Sequence, residues 1–361
     1  MASLTERWMT GDDVKPTPLE KHDREILCLD VNGNELVTGS CDHALHLYDI
    51  KAQRLKRRLY TKQYGHHEWV SCCSYSCDGR VVSGGMDSVI CVWDKSSPRC
   101  AYLTEHEASI SAIATDKSSP GAISASYDKT LKIWDLNTCS CIRTLTGHTG
   151  PVNDVIWRRS LCLSTGRDGL LIAWDVNTGD RAVTVRHTSH MSAMHLFDDD
   201  LGCVAIGTQD GTVMIYDLRD FRRPIMSGIL HPHSVAAALT AIENRTSSYL
   251  VSAGSDKKVL ILDSKMGWKR RAELTGHAAP VQCLCPVVIP SLHHSTELIC
   301  SGGANGWVVV HDAGSADGET NALYATGACR GGVRCLKTTD DKSVLCVAGD
   351  DQEPVVMDFG R

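Results

Sequence analysis

The side chains of this sequence that could carry out chemistry are mainly imidazoles and carboxylates. The sequence contains 16 His and 43 Asp plus Glu, which bind metal ions or transfer protons when they converge on one site. Their spacing is regular, however, because eight times an Asp or Asn is followed, six residues later, by a bulky residue that directly precedes an Asp. This offset is constant while the units recur every 40 to 49 residues, which indicates a structural repeat with loops of variable length. The eight sets are Asp42/Tyr48-Asp49, Asp87/Trp93-Asp94, Asp128/Trp134-Asp135, Asp168/Trp174-Asp175, Asp210/Tyr216-Asp217, Asp256/Leu262-Asp263, Asn305/His311-Asp312 and Asp351/Met357-Asp358.

Each unit carries the signals of four short β-strands. Runs such as 89–93 are rich in β-branched and aromatic residues, and tight turns separate them. Three of these turns are Asp-Gly or Asn-Gly pairs, which favour the primed hairpin turns. No helical periodicity of useful length lies between the runs. Four-stranded units at this period are typical of propeller blades, so the sequence predicts an all-β, eight-bladed β-propeller, with seven blades and one degenerate appended unit as the alternative.

The two ends of the chain are expected to share one blade. The last unit ends at Arg361, three residues past Asp358, which leaves no room for its fourth strand. The stretch from Val14 to Lys21 lies before the first unit, where an outermost strand belongs. We therefore expect this stretch to complete the last blade and to cover an open sheet edge. Residues 14–361 are assigned to the propeller, and residues 1–13 to an N-terminal extension.

The third and fourth units carry the most distinctive motifs. Ser124-Ala125-Ser126-Tyr127-Asp128 is followed by Trp134-Asp135, and Gly147-His148 is followed by Ser164-Thr165-Gly166-Arg167-Asp168 and Trp174-Asp175. These residues resemble the WD40 repeat family, and the resemblance covers nearly the whole chain. It implies that a buried His, a Ser or Thr, the turn Asp and the Trp of each blade form a hydrogen-bond network. The matching sets are His66, Ser83, Asp87 and Trp93; His106, Ser124, Asp128 and Trp134; His148, Ser164, Asp168 and Trp174; and, in the first unit, His22, Thr38, Asp42 and Tyr48.

Such a network is needed because a buried carboxylate is tolerated only when its acceptor oxygens are occupied. The later units depart from the pattern, and we expect their blades to depend on apolar packing instead. Because the resemblance assigns most of the paired His and Asp residues to structure, we expect no catalytic centre, metal or cofactor. The replacing residues are Ile206 and Val347 for the hydroxyl, Leu262 and Met357 for the Trp, and Cys329 for the His.

Composition narrows the function classes further. A net charge of −6 offers no general attraction to nucleic acid. No apolar stretch approaches the roughly 20 residues of a membrane helix, and the first nine residues lack a hydrophobic signal region. The 17 Cys have no framework spacing and are expected to be reduced thiols. These features predict a cytoplasmic protein, with cytoskeletal, ciliary or nuclear assemblies as alternatives.

The best candidate for partner binding lies beside the turn Asp residues of the second to fourth blades. The resemblance implies that this face binds peptides or partner domains rather than a small-molecule substrate. Trp, Tyr and Arg dominate interface energetics, and a Trp in the loop before Val70 is hard to bury. The prediction is a non-enzymatic scaffold that holds proteins together in a multiprotein assembly; the alternative is that each residue packs locally. The candidate residues are Trp69, Met86, Ser109, Tyr127 and Arg167.

Two further features leave alternatives open. Tyr216-Asp217-Leu218-Arg219 is similar to the aromatic-Asp-x-Arg box of WD40 substrate receptors of cullin–RING ubiquitin ligases, which makes Arg219 a candidate adaptor contact. Four basic clusters also occur, and the first and last fall where outermost strands are expected. Charge there discourages edge-to-edge aggregation, and docking to an acidic partner is the alternative. The clusters are Lys56-Arg57-Arg58, Arg158-Arg159, Arg222-Arg223 and Lys269-Arg270-Arg271.

Overall fold

Eight β-sheets account for most of the chain. The computed structural model describes residues 3–12, 14–197, 202–243, 248–290, 295–315 and 317–360. Seven of the sheets have four strands and one has five. The sheets are the blades of an all-β, eight-bladed β-propeller, which confirms the predicted fold class. By its internal contacts the chain forms two compact units, Leu19–Met191 and Met1–Pro18 with Ser192–Arg361.

The unit Leu19–Met191 contains blades one to four, and the strand order in each sheet follows the chain order. The middle strands are largely buried, as in Gly121–Ser126, while the outer strands alternate exposed and half-buried residues, as in Ser140–Thr146. This difference follows from sheet packing, since a middle strand is covered on both faces by neighbouring blades. The strands are β2 (Ile26–Asn32), β3 (Glu35–Ser40), β4 (Leu45–Asp49), β5 (Arg54–Leu59), β6 (Val70–Tyr75), β7 (Val81–Gly85), β8 (Ile90–Trp93), β9 (Cys100–Leu103), β10 (Ile110–Thr115), β11 (Gly121–Ser126), β12 (Thr130–Asp135), β13 (Ser140–Thr146), β14 (Val152–Arg158), β15 (Leu161–Gly166), β16 (Leu170–Asp175) and β17 (Arg181–Arg186).

The other unit contains blades five to eight, with β18 beginning at its boundary. It also contains the first strand of the chain, one α-helix and one short 3₁₀ helix at Ser264–Met266. The elements are α1 (Leu4–Thr10), β1 (Thr17–Pro18), β18 (Met191–Leu196), β19 (Cys203–Thr208), β20 (Thr212–Asp217), β21 (Met226–Ile229), β22 (Ala236–Glu243), β23 (Ser248–Gly254), β24 (Val259–Asp263), β25 (Lys269–Leu274), β26 (Val281–Ile289), β27 (Thr296–Gly303), β28 (Trp307–Asp312), β29 (Gly318–Thr320), β30 (Tyr324–Gly327), β31 (Val333–Thr338), β32 (Val344–Gly349) and β33 (Val355–Asp358).

The last blade is completed by the N-terminal strand. The order of its sheet is β1-β33-β32-β31, and Thr17 and Pro18 lie opposite Val356 and Val355. This pairing confirms the predicted closure, although only two residues of the expected stretch form the strand. Pro18 is tolerated because β1 is an edge strand, where a missing backbone donor costs no ladder hydrogen bond.

Two elements were not expected from the sequence. Helix α1 lies within the N-terminal extension, and Ser3 and Glu6 form a capping box at its start. Blade six has a fifth strand, because β29 leaves the loop between β28 and β30 and pairs with β25 in parallel. The cluster Lys269-Arg270-Arg271 therefore begins a strand whose outer edge is partly covered. The prediction that this cluster lies on the outermost strand of its blade was wrong, because β29 lies outside β25.

No helix among the described residues has the length and apolar character needed to cross a bilayer.

Candidate protein-interaction site

Blade two shows the hydrogen-bond network that positions its loops. Trp93 Nε1 donates to Ser83 Oγ at 2.8 Å, and Ser83 Oγ lies 2.8 Å from His66 Nε2. His66 Nδ1 lies 3.1 Å from both carboxylate oxygens of Asp87, and the backbone N–H of His67 donates to Asp87 at 2.9 Å. Because an indole can only donate, the Ser83 hydroxyl accepts from Trp93 and donates to His66, which leaves the proton on Nδ1 for the carboxylate. Burial opposes ionisation of Asp87, but the hydrogen bonds from the His66 ring and from the backbone N–H groups of His67 and Val89 keep its pKa below the usual value.

Blades three and four contain the same chain of four side chains. The Trp-to-hydroxyl, hydroxyl-to-His and His-to-Asp distances are 2.8, 2.7 and 2.6 Å in blade three, and 2.8, 2.8 and 3.0 Å in blade four. Ser124 and Ser164 are completely buried, so neither hydroxyl is placed to attack a substrate. These groups hold the turn between the second and third strands of each blade in place. The members are His106, Ser124, Asp128 and Trp134, and His148, Ser164, Asp168 and Trp174.

Blade one joins only three of its four expected members. His22 lies 2.8 Å from Thr38 Oγ1 and 3.0 Å from Asp42 Oδ2. The Tyr48 hydroxyl instead donates to the carbonyl oxygen of Glu20 at 2.8 Å. The polar atom of a phenol lies at the tip of the ring, farther from the backbone than the Nε1 of an indole, so the Tyr48 hydroxyl reaches the Glu20 carbonyl.

Three side chains of blade one are close enough together to hold a metal ion: His22, Asp42 and His46. Both ring nitrogens of His22 already have protein partners, in Asp42 and Thr38. His46 Nδ1 lies 3.0 Å from the Tyr48 hydroxyl, and its ring stacks on that of His22 at 3.6 Å. Burial lowers the pKa of His46 to about 3. The donor atoms are thus used in hydrogen bonds, and the cluster fits a structural role better than a metal site.

The later blades lose different parts of the network. In blade six His231 still lies 2.9 Å from Asp256 and 2.6 Å from Ser252, while the Trp position holds buried Leu262. In blades five and eight the hydroxyl is replaced by Ile206 and Val347, both completely buried. Met357 is also buried, and Cys329 is half-buried beside the core of blades seven and eight. Apolar packing therefore replaces hydrogen bonds at these positions, although blade six keeps more of the network than its sequence suggested.

In blade seven two buried imidazoles have ring nitrogens with no protein hydrogen-bond partner among the described residues. His277 Nε2 lies 2.6 Å from Ser301 Oγ, but its Nδ1 has no protein hydrogen-bond partner among the described residues. His311 occupies the Trp position, is 0% exposed, and has no such partner at either nitrogen. Burial lowers the pKa of His277 to about 4. The pKa of His311 is lowered to about 3, mainly by burial and to a smaller extent by repulsion from His277. Both rings are therefore neutral near pH 7.

The five residues predicted to bind a partner form one continuous surface, which we call the aromatic surface: Trp69, Met86, Ser109, Tyr127 and Arg167. The Met86 backbone N–H donates to Trp69 O at 2.8 Å, and the Ser109 hydroxyl donates to Met86 O at 3.1 Å. The Tyr127 backbone N–H donates to Ser109 O at 2.9 Å. Arg167 donates to the Tyr127 hydroxyl at 2.8 Å, and its guanidinium lies 4.8 Å from the centre of that ring. The structure thus brings together residues spread over 99 positions of the chain.

The large side chains of the aromatic surface are both exposed and held in place. Trp69 is 39%, Met86 43% and Tyr127 39% exposed. Arg167 has a further contact, from Nε to Asn153 Oδ1 at 3.4 Å. Asn153 was not predicted, because a single Asn inside a strand carries no recognisable motif. Since a guanidinium has five N–H donors, these contacts leave others for a ligand. The side chains of Tyr127 and Arg167 are held by each other and by Asn153, so ordering them costs a partner less entropy on binding.

Arg219 lies in the turn after β20. Its Nε donates to Asp217 Oδ1 at 2.9 Å, and its NH2 group donates to Oδ2 at 3.1 Å. These hydrogen bonds lower the pKa of Asp217. The Arg219 side chain is nevertheless largely exposed, so a partner could compete for it.

Several known proteins resemble this chain. The family model "WD domain, G-beta repeat" matches residues 15–49, 57–94, 98–135, 139–175 and 268–312, more than half of the chain. The "Ribosome biogenesis protein WDR12 homolog" of Nematostella vectensis is 24% identical over 82% of this chain and 77% of its own length. "Mitochondrial division protein 1" of Kluyveromyces lactis is 26% identical over 60% of this chain, but the match spans only 30% of that protein.

Solved structures agree on the fold. The computationally designed Ika8 protein superposes with a TM-score of 0.78 at 24% identity, covering 94% of this chain and 98% of its own. The WD40 repeats of RRP9 superpose with a TM-score of 0.67 at 18% identity, covering 96% and 99%. Identities this low show the fold alone. Together with the family match and the repeated network of His, hydroxyl, Asp and Trp, they establish that the chain belongs to the WD40 repeat family.

Proposed function

We propose that the chain is a non-enzymatic scaffold that mediates protein–protein interactions within a multiprotein assembly. The observation that carries this proposal is the aromatic surface, in which exposed Trp69, Met86 and Tyr127 are joined by backbone hydrogen bonds and by Arg167. Exposed Trp, Tyr and Arg at one place are typical of binding hot spots. The paired carboxylates and imidazoles of blades two to four are engaged with each other, which favours a structural role over catalysis.

The relatives support an assembly function without naming the partner. One of them is named a ribosome biogenesis protein, and it matches most of this chain. Another, from Caenorhabditis elegans, is named "Small ribosomal subunit protein RACK1" and is 32% identical over 34% of this chain. WD40 propellers are generally non-catalytic and typically bind proteins. Because this chain has a net charge of −6, proteins are favoured over nucleic acid as its partners. A cytoplasmic location is part of the proposal.

Paired substitutions test the proposal. Partners of the intact chain would be identified by quantitative mass spectrometry, purified, and titrated against Trp69→Ala/Arg167→Ala. Loss of these two anchors should weaken binding by about 2–4 kcal/mol, or 30-fold and more. The matched control is Trp307→Ala/Arg222→Ala, which removes an exposed Trp and an exposed Arg elsewhere. Equal affinity of both double variants for every partner would exclude the aromatic surface as the docking site.

A further inference from the structure

The chain shows how one of its own blade edges is covered. Strand β29 pairs in parallel with β25, and Gly318, Glu319 and Thr320 lie opposite Ala272, Glu273 and Leu274. The Thr275 backbone N–H extends the ladder by donating to Thr320 O at 2.9 Å. An extended segment from the neighbouring blade therefore adds a strand to this sheet. Strand addition of this kind uses backbone groups that an edge strand leaves unpaired.

The loop that carries β29 and the start of β25 have opposite net charges, although the two residues that pair directly, Glu319 and Glu273, are both acidic. Strand β25 begins with Lys269-Arg270-Arg271, while the covering loop, residues 313–323, contains Asp317 and Glu319 and no Lys or Arg. Arg271 also anchors the loop, because its guanidinium donates to Gly314 O at 2.8 Å. Blade six thus shows an acidic extended segment on a Lys- and Arg-rich edge.

Blade one presents the same kind of edge. Its outer strand β5 has the sequence Arg-Leu-Lys-Arg-Arg-Leu and ends its sheet. The pairing of β5 shifts register at Leu47/Tyr48, as that of β25 does at Ile261/Leu262. This common bulge makes Arg57, Arg58 and Leu59 the equivalents of the three β25 residues that pair with β29. The guanidinium of Arg57 donates to Lys95 O of blade two at 2.8 Å, as Arg271 does to the loop of blade seven.

The difference between the two edges is the length of the next loop. Six residues, 94–99, join β8 and β9 in blade two, whereas eleven, 313–323, join β28 and β30 in blade seven. Among the described residues, no segment pairs with the outer edge of β5. A cavity of about 420 Å³ lies beside this strand instead, with an apolar floor that includes Leu47, Leu59 and Trp93. Three cationic side chains, Lys56, Arg57 and Lys95, line the same cavity with two acidic ones, Glu35 and Asp94, and Lys56 pairs with Glu35.

We propose that β5 binds an extended, acidic segment of a partner protein, which adds as a fifth strand along Arg57–Leu59 as β29 does in blade six. A second basic strand is repelled from this edge, so the charge selects the occupant. Lys56 and Arg58 pair with the partly exposed Glu35 and the exposed Glu20, and a partner's carboxylates can replace such exposed partners at little cost. This site is separate from the aromatic surface of the proposed function.

A peptide with the sequence of residues 313–322, labelled with a fluorophore, is the probe. The full chain is titrated to about 1 mM peptide, the effective concentration that a short tether supplies, while amide hydrogen exchange is followed strand by strand. We expect hydrogen exchange in β5 to become slower when the peptide binds. An analogue peptide in which Asn and Gln replace Asp and Glu should bind about tenfold more weakly. No protection of β5 at this concentration overturns the proposal.

Two comparisons make the result specific. Arg54→Glu/Arg58→Glu should weaken peptide binding about tenfold at unchanged melting temperature, because neither residue anchors the neighbouring loop. The same change on the outer strand of blade four, Arg181→Glu/Arg186→Glu, should leave binding within twofold. Equal loss in both variants would mean general charge attraction and would overturn the proposal. A decauridylate RNA that protects β5 when the peptide does not would identify a nucleic-acid site and overturn it as well.

Discussion

Replacing Trp8 should weaken the last blade strongly. The Trp8 side chain is 0% exposed and stacks on Phe359, with ring centres 3.6 Å apart and planes at 7°. Its Nε1 donates to Lys342 O at 2.8 Å. Removing a buried Trp costs about 3–5 kcal/mol, so we expect Trp8→Ala to lower the free energy of unfolding of this region by that amount. Trp8→Phe keeps a stacked ring but loses part of the buried ring and the hydrogen bond, which alone is worth about 1 kcal/mol, so its loss of stability should be smaller than that of Trp8→Ala.

The assay must resolve single blades, because repeat proteins need not unfold as one unit. Hydrogen exchange of β31, β32 and β33 reports the last blade, and urea unfolding reports the whole chain. Trp69→Ala is the matched control, since this exposed Trp should change stability by no more than about 0.5 kcal/mol. Removal of residues 1–21 should lower the melting temperature at least as much as Trp8→Ala. Unchanged exchange in β31–β33 for Trp8→Ala would refute the idea that the helix and strand β1 hold the last blade.

Three further predictions concern the buried imidazoles and the exposed Arg219. His311→Leu should raise the free energy of unfolding by about 1–3 kcal/mol in urea titrations, because it removes a buried ring with no hydrogen-bond partner among the described residues and blade six already holds Leu262 at this position; a destabilised variant would show that the imidazole is satisfied. Stability should also fall as the pH drops below about 6.5, the ordinary His pKa. Below pH 6.5 the His residues of the unfolded chain bind protons, while the pKa values of His277 and His311 in the folded chain are about 4 and 3. The free energy of unfolding should therefore keep falling down to those pKa values, by up to about 1.4 kcal/mol per pH unit for each His. Asp154, whose pKa burial raises to about 6, opposes this trend between pH 6 and 4, and a profile flat from pH 7.5 to 5 would contradict the assignment. Arg219→Ala should abolish co-purification of a cullin adaptor if the ligase alternative holds, and an adaptor retained by this variant would rule out that contact.

Interactions inside one blade were readable from the sequence. The six-residue offset between the turn Asp and the Trp position equals one strand plus its turn, as in Asp128 and Trp134 around β12. Ser124 and His106 belong to the same blade, so one repeating pattern covers every partner in the network. The pattern failed where residue types changed: the Tyr48 hydroxyl donates to the carbonyl oxygen of Glu20, and nothing in a His at position 311 indicates that its ring nitrogens have no hydrogen-bond partner among the described residues.

The sequence by itself determined the eight blades, the four strands that each of them shares and the networks of blades two to four, because strand period and turn chemistry act over a few residues. The tertiary structure alone decided that Trp8 stacks on Phe359, that β29 covers β25, and that Arg167 lies over Tyr127. Each of these contacts joins different blades or the two ends of the chain. Their partners are chosen by loop reach and by side-chain shape in three dimensions, and neither leaves a periodic signal in the sequence.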